Sequence, residues 1–134
     1  MIGSSWARNT QHLRVAIVDH DGGHADALER ALRLAGHESH RFLGGEPLLR
    51  ALHPIHGFDA FVLEWELPDI SGPNLIRAIH ERPSGRAPVL FTSTREREEV
   101  VAYALRLGAD GYLIWPIRGA EFVARLEAIV RRAG

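Results

Sequence analysis

The chain has 134 residues, of which 46% are hydrophobic and 25% charged, and this predicts a single compact domain. The absence of cysteine excludes disulfides and thiolate metal sites and favours a cytoplasmic location, and no uncharged run approaches the ~18 residues that span a bilayer. A net charge of −1 leaves no electrostatic footprint for nucleic acid, so we expect neither direct nucleic-acid binding nor membrane binding.

Five apolar runs rich in β-branched residues predict five strands. In chain order they are LRVAIVD from Leu13, HESHRFL from His37, FDAFVLEW from Phe58, PVLFTS from Pro88 and GYLIW from Gly111. The first, third and fourth are almost continuously apolar, so we expect both of their faces to be covered. The second is rich in histidine and charge, which is typical of an edge strand.

A segment with helical spacing of apolar residues follows each strand, as in Leu28, Ala31, Leu32 and Ala35. Glycines stand at predicted helix ends and prolines near helix starts, namely Gly36, Gly108, Pro47 and Pro73. The pattern predicts a (βα)5 domain over residues 13–132: an α/β fold with a doubly wound, parallel five-stranded sheet in the order 2-1-3-4-5. Residues 1–12 are predicted to be a tail, and residues 133–134 a C-terminal end where a linker could begin.

Acidic residues cluster where the first and third strands are predicted to end. Asp19 and Asp21 follow the first strand, and Glu64 and Glu66 close the third. These strands are neighbours at the switch point, where such sheets bind ligands. Carboxylates grouped there suit a divalent cation or a phosphoryl transfer. The alternative is that they are solvated charges at strand ends.

The order and spacing of five motifs resemble the receiver domain of bacterial response regulators, which has a flavodoxin-like fold. The motifs are VAIVDHD, GHE at the second strand, LPDISG, PVLFTST and GADGYLIWPI, and the resemblance covers residues 13–132. In that family an acidic pair holds magnesium, an aspartate ending the third strand accepts a phosphoryl group, and a hydroxyl and a lysine end the fourth and fifth strands.

Several positions of this sequence match the family's site. Asp19 matches the first acid, Ser93 the hydroxyl and Tyr112 the switch aromatic, and Pro116 matches the proline that follows the lysine. The resemblance also implies that the backbone carbonyl of Glu66 completes the metal site.

Three chemical positions depart from the family. Counting back from the loop proline puts Glu64 at the acceptor position, where its extra methylene misplaces the carboxylate, and an error of ~1 Å can cost ~100-fold in rate. Trp115 stands at the lysine position, and all sixteen cationic residues of the chain are arginines. His20 replaces the second acid, and an imidazole suits zinc, nickel or copper better than magnesium. We therefore expect no cofactor and weak magnesium binding at best, at Asp19, His20 and Glu64.

Each altered position has more than one interpretation. Glu64 is a permanent negative charge that mimics a phosphoryl group, a neutral relic, or the acceptor of a phosphotransfer-competent receiver with an atypical site. Trp115 is ordinary packing at a strand end, or an indole that fills or roofs the pocket. His20 is an exposed loop histidine or a metal ligand. Glu66 is most simply a solvated loop carboxylate.

The leading hypothesis is a signalling module of a two-component (phosphorelay) system: a pseudo-receiver that is not phosphorylated in the usual way and acts by binding protein partners. Its last helix, GAEFVARLEAIVRRAG, resembles that of response regulators with a winged-helix DNA-binding output domain. Such receivers form homodimers through helix four, strand five and helix five. Asp110, Glu121 and Arg125 match charged positions of that face, whereas Tyr103 replaces a cation and Gly111 an acid. A sensor kinase and an output domain are further expected partners.

The main alternative is that the chain is an enzyme, although we expect no enzymatic activity. The stretch IVDHDGG also resembles the first motif of haloacid dehalogenase-type phosphatases, with Asp19 as nucleophile, Asp21 as acid/base and Ser93 as the second-motif hydroxyl. The basic residue and further acids of that family have no counterpart that we can place in this sequence. A flavin-binding interpretation is weaker still, because the loop after the first strand is acidic where a phosphate loop presents hydroxyls and amides.

Overall fold

Strands and helices alternate five times along the chain. The computed structural model describes residues 12–52, 57–82 and 86–133, so the predicted tail lies outside it apart from His12. The elements are β1 Arg14–Val18, α1 Gly22–Leu34, β2 Glu38–Phe42, α2 Gly45–Ala51, β3 Ala60–Glu64, α3 Gly72–His80, β4 Val89–Ser93, α4 Glu98–Arg106, β5 Gly111–Ile114 and α5 Gly119–Ala133.

The strands form one parallel sheet in the order β2-β1-β3-β4-β5, which confirms the predicted topology. The switch point lies between β1 and β3, whose register runs from Val15 opposite Ala60 to Val18 opposite Leu63. Every residue of β3 and β4 is buried, and β1 is buried after Arg14, so the prediction of three covered strands is confirmed. All residues of β2 are partly exposed, as expected of an edge strand.

Helices cover both faces of the sheet. Helices α1 and α5 pack on one face, with Leu28, Leu32, Phe122 and Leu126 among the buried residues of that layer. Helices α2, α3 and α4 cover the other face, where Leu48, Leu75, Ile76 and Ala104 are buried. Successive strand residues point to opposite faces, so the central strands contribute to both layers. This packing holds the carboxyl ends of the strands at one edge, where the predicted site lies.

The predicted helix punctuation is confirmed. Gly36 and Gly108 follow α1 and α4 with φ angles of 87° and 106°, a conformation that favours glycine after a helix. Pro73 lies in the first turn of α3, where proline costs no hydrogen bond.

The start of α2 has an anchor that the sequence did not reveal. Asp69, in the loop after β3, accepts hydrogen bonds from the backbone N–H groups of Gly45 and Glu46 at 3.2 and 2.9 Å. These bonds hold the pKa of Asp69 below its usual value, against the opposing effect of partial burial. A Cβ at Gly45 would lie 2.2 Å from Cγ2 of Ile70, so only glycine allows this approach. The loop that leaves the candidate site is thereby fixed to α2.

A buried histidine connects β1 with α5. The Nδ1 atom of His37 accepts a hydrogen bond from the backbone N–H of Leu13 at 3.0 Å, and its Nε2 donates to Glu127 at 2.7 Å. His37 was predicted only as the start of the second strand.

Of the described helices, none is long and apolar enough to cross a bilayer.

Candidate functional site

Two buried carboxylates meet at the switch point. Asp19 directly follows β1 and Glu64 ends β3, and because these strands are neighbours their side chains converge. Asp19 is 1% exposed and Glu64 6% exposed, which is unusual for acidic residues unless they are paired or bound to a cation. The sequence predicted a larger cluster of acidic residues at this edge of the sheet, and Asp19 and Glu64 are its two buried members.

Asp19 has one satisfied and one unsatisfied oxygen. Its Oδ1 accepts a hydrogen bond from the backbone N–H of Asp21 at 2.8 Å. Its Oδ2 is buried and has no hydrogen-bond partner within the described part of the chain. Burial raises the pKa of Asp19 from 3.8 to about 6, and the negative charge of Glu64 adds to the effect.

His20 and Glu64 form a close pair. Glu64 Oε1 lies 2.9 Å from the backbone nitrogen of His20, which donates to it, and 2.7 Å from the imidazole Nδ1. The hydrogen bond and charge of Glu64 raise the pKa of His20. His20 is thus more than an exposed loop histidine, although half of its side chain remains exposed. The acceptor-equivalent carboxylate is therefore held by an imidazole.

Asp19, His20 and Glu64 are close enough to share a cation. Each offers one ligand atom, and these three atoms lie within 4.8 Å of one another. Magnesium, which the fold family implies, prefers an octahedron of oxygen ligands. An imidazole in a set of three does not fit that preference, so the donor set argues against magnesium.

Asp21 lies apart from this group. Its side chain caps α1 by accepting a hydrogen bond from the backbone N–H of His24 at 3.0 Å, and this bond lowers the pKa of Asp21. The residue is exposed. The predicted four-carboxylate pocket is corrected accordingly: Asp21 is engaged as a helix cap, and the group of ligand atoms that lie close together contains Asp19, His20 and Glu64 but not Asp21.

Glu66 is not a free, solvated carboxylate. Ser93, at the end of β4, donates its hydroxyl to Oε2 of Glu66 at 2.5 Å, and the backbone N–H of Thr94 donates to Oε1 at 3.4 Å. The Ser93 hydroxyl oxygen in turn accepts from the N–H of Arg95 at 3.0 Å. We call these contacts the Glu66–Ser93 lock. The lock connects the loop after β3 with the loop after β4.

Trp65, between the two glutamates, belongs to an aromatic cluster. Its ring centroid lies 5.0 Å from that of Phe91, 6.0 Å from Tyr112 and 6.4 Å from Tyr103 on α4. A Cβ at Gly72 would lie 2.6 Å from the indole, so glycine makes room for it. Burial raises the pKa of Tyr112. The sequence predicted Trp65 only as the end of an apolar strand and did not reveal its contacts with these three aromatic rings.

Trp115 packs against helix α1. Its ring stacks on that of His24, with centroids 4.0 Å apart and planes inclined by 9°, and its backbone N–H donates to the carbonyl of Ser93 at 2.8 Å. His24 Nδ1 lies 3.8 Å from Asp19 Oδ2. Pro116 follows through a cis peptide bond. Sequence reasoning missed His24, although its place in the first turn of α1, four residues after His20, could have drawn attention to it.

Of the predicted interface residues, Tyr103 lies on α4, Glu121 and Arg125 lie on α5, and Asp110 directly precedes β5. Tyr103 and Leu105 of α4 are 42% and 47% exposed, which is high for large apolar side chains. Arg125 Nη2 lies 3.3 Å from Glu121 Oε2, one helical turn away. Asp110 accepts from the backbone N–H of Val89 at 2.9 Å and so also supports the start of β4.

Comparison with known proteins identifies the family of this chain. The family described as response regulator receiver domain matches residues 15–127. Transcriptional regulatory protein PrrA of Mycobacterium leprae is 36% identical over 121 residues, 90% of this chain and 51% of PrrA. The phosphate regulon transcriptional regulatory protein PhoB of Rhizobium meliloti is 31% identical over 122 residues, 90% of this chain and 53% of PhoB.

Solved structures show the same likeness. The crystal structure of the response regulator DrrB, an OmpR/PhoB homologue of Thermotoga maritima, has a TM-score of 0.77 and 28% identity, and the match covers 90% of this chain and 54% of DrrB. The chain spans about half the length of the curated relatives it matches.

Proposed function

The chain belongs to the response regulator receiver domain family of two-component systems, and we propose that it is a pseudo-receiver that signals through protein contacts without being phosphorylated. The observation that carries this proposal is the Glu66–Ser93 lock. A carboxylate of the chain itself already takes the hydroxyl and the N–H that would otherwise be free to receive an incoming anion. The site is thus held as if an anion were bound.

This contact also changes the assignment of the mimicry considered for Glu64. The oxygen of Glu64 faces His20, whereas the carboxylate that holds Ser93 is that of Glu66. We therefore assign the permanent negative charge at the hydroxyl position to Glu66. Glu64 stands at the position of the phosphoryl acceptor, but its carboxylate is already paired with the imidazole of His20.

The electrostatics of the site also disfavour phosphoryl transfer. An incoming phosphodonor would meet two buried carboxylates, Asp19 and Glu64. The imidazole of His20 is already paired with Glu64, and Trp115 supplies no cation for a phosphoryl oxygen. Preorganised positive charge is the main means by which proteins stabilise a transferring phosphoryl group. Without such positive charge, we expect phosphoryl transfer to Glu64 to proceed no faster than the uncatalysed reaction.

The chain should remain unmodified when incubated with acetyl phosphate and magnesium. Glu64 is misplaced and paired, so intact-mass spectrometry should show no substantial phosphoryl adduct. The matched control is Glu64→Gln, which should show no phosphoryl adduct under the same conditions. An adduct in the native chain that maps to Glu64 and is lost in Glu64→Gln would refute the proposal and favour a phosphotransfer-competent receiver.

We further propose that the face of α4, β5 and α5 is held in one state. The aromatic cluster links Trp65, beside the site, with Tyr103 of α4 and Tyr112 of β5. The Glu66–Ser93 lock fixes the loop that leads into α4. A receiver with only one populated arrangement has nothing for a phosphodonor to shift, so its partner binding should be constitutive.

The expected result is a modest, concentration-dependent homodimer through this face, equally populated with and without acetyl phosphate. Arg125→Glu and Tyr103→Glu should each weaken it by about tenfold or more, because they place like charges and a buried carboxylate in the interface. Sedimentation velocity is the measurement. A dimer unchanged in both variants would place the interface elsewhere, and a dimer driven by the phosphodonor would contradict the single state.

The relatives suggest what this face regulates. Their names describe transcriptional regulatory proteins, and they are about twice as long as this chain. We propose that the domain acts in the cytoplasm, that a DNA-binding output domain is its downstream partner, and that a sensor kinase is a further candidate partner. The phosphatase alternative is weakened by Asp21, which caps α1 instead of facing Asp19 as an acid/base.

A further inference from the structure

We propose that Asp19, His20 and Glu64 bind a divalent transition-metal ion of the zinc type. This inference goes beyond the pseudo-receiver function, since it requires neither phosphorylation nor dimerisation. The site is the switch-point pocket described above, with a different cation selectivity from that implied by the fold family. Two carboxylates and one imidazole form its donor set.

The spacing of the donors suits a transition metal. Zinc binds imidazole nitrogen and carboxylate oxygen at about 2.0–2.2 Å, so neighbouring ligand atoms in such a site lie about 3–3.5 Å apart. The three ligand atoms lie within 4.8 Å of one another, and His20 Nδ1 is 2.7 Å from Glu64 Oε1. Binding a cation between them requires the short His20–Glu64 contact to open, and the half-exposed His20 side chain has solvent-facing space in which to rotate.

Asp19 supplies the second, independent observation. Its Oδ2 is buried and has no hydrogen-bond donor among the described residues, while Oδ1 is already held by a backbone N–H. A buried carboxylate oxygen without a partner is costly, and a bound cation relieves that cost. The orphaned atom belongs to the same residue that contributes to the three-ligand group.

The chemistry of the donors determines the selectivity. Imidazole binds zinc, nickel and copper well, whereas magnesium demands oxygen ligands in an octahedron. The carboxylate of Asp21, two residues after Asp19, is committed to capping α1. His24 places a second imidazole at the rim of the site, with Nδ1 3.8 Å from Asp19 Oδ2 and its ring fixed against Trp115. Imidazole nitrogen is thus present both in the donor set and at its rim, which favours a transition metal over magnesium.

Calorimetric titration of the full 134-residue chain with Zn²⁺, and separately with Mg²⁺, tests the proposal. We expect one zinc site per chain and no measurable heat from magnesium at the same concentrations. Asp19→Asn should weaken zinc binding at least tenfold. His20→Asp should weaken zinc binding at least tenfold and strengthen magnesium binding, because it replaces nitrogen with oxygen. A merely structural role of His20 would not produce this exchange.

The chain has eight histidines, so zinc could bind elsewhere on the surface. His40→Gln is the matched control, because His40 forms a partly exposed pair with Glu38 at 2.6 Å on the edge strand, away from the switch point. It should bind zinc like the native chain. Circular dichroism of each variant checks that the fold is retained. Zinc binding that persists unchanged in His20→Asp and Asp19→Asn, or magnesium binding by the native chain as tight as that of zinc, would overturn the proposal.

Discussion

The combined substitution His20→Asp, Glu64→Asp and Trp115→Lys is expected to increase phosphorylation by acetyl phosphate at least ~100-fold over the native chain. Each change reverses one departure from the family's site. The shorter carboxylate returns the acceptor to its usual reach, the aspartate at position 20 supplies an oxygen ligand for magnesium, and the lysine supplies a cation for the phosphoryl oxygens. Intact-mass spectrometry over time gives the rate.

The structure indicates that these changes can be accommodated. Residue 115 lies beside Ser93, to whose carbonyl its backbone N–H donates, so a lysine there starts from the edge of the pocket. His20→Asp also removes the imidazole that holds Glu64. The control carries His20→Asp and Trp115→Lys with Glu64→Asn, and it should stay unmodified.

The Glu66–Ser93 lock is still present in the combined variant and limits its rate, so adding Glu66→Ala should increase the rate further. Glu66 occupies the hydroxyl of Ser93 and adds negative charge where a phosphoryl group would have to bind. If the combined variant is no faster than the native chain while Glu66→Ala alone is phosphorylated, then the Glu66–Ser93 lock, and not the altered acceptor, is the barrier. That outcome would contradict the expected effect of the three combined substitutions.

The sequence predicted the backbone of the molecule well because its signals are local. Continuous apolar runs predicted the buried strands β1, β3 and β4, and Gly36 and Gly108 marked helix ends through a conformation that few other residues adopt. Such features depend on neighbours within one or two turns of the chain.

The partners of the site residues could not be predicted in the same way. Glu66 and Ser93 are 27 positions apart, and the stacking of Trp115 on His24 joins the end of β5 to the start of α1. Which acid turns inward and which caps a helix depends on rotamers that the folded backbone selects. Spacing therefore placed Asp19, Asp21, Glu64 and Glu66 at one edge but could not divide them into a buried pair, a cap and a lock.

Asp19→Asn is expected to stabilise the fold at pH 8 by about 2–3 kcal/mol, measured by urea denaturation in the presence of a chelator. The pKa of Asp19 rises from 3.8 in the unfolded chain to about 6 in the fold, so the folded state binds its proton more tightly. The stability from this group is therefore fully present below pH ~4 and is lost as the pH rises through about 6. A rise in pKa from 3.8 to about 6 corresponds to roughly 3 kcal/mol.

The asparagine side chain of Asp19→Asn avoids this loss of stability at high pH because it has no charge that must be buried. Its oxygen can still accept from the N–H of Asp21, and its NH₂ group can donate from the position of the orphaned Oδ2. At pH 4 native chain and variant should differ little, since Asp19 is then protonated in the fold. Glu99→Gln, an exposed carboxylate, serves as the control and should change stability by less than about 0.5 kcal/mol at either pH. If Asp19→Asn is no more stable than the native chain at pH 8 without metal, burial does not destabilise the ionised Asp19 carboxylate, and the expected stabilisation is refuted.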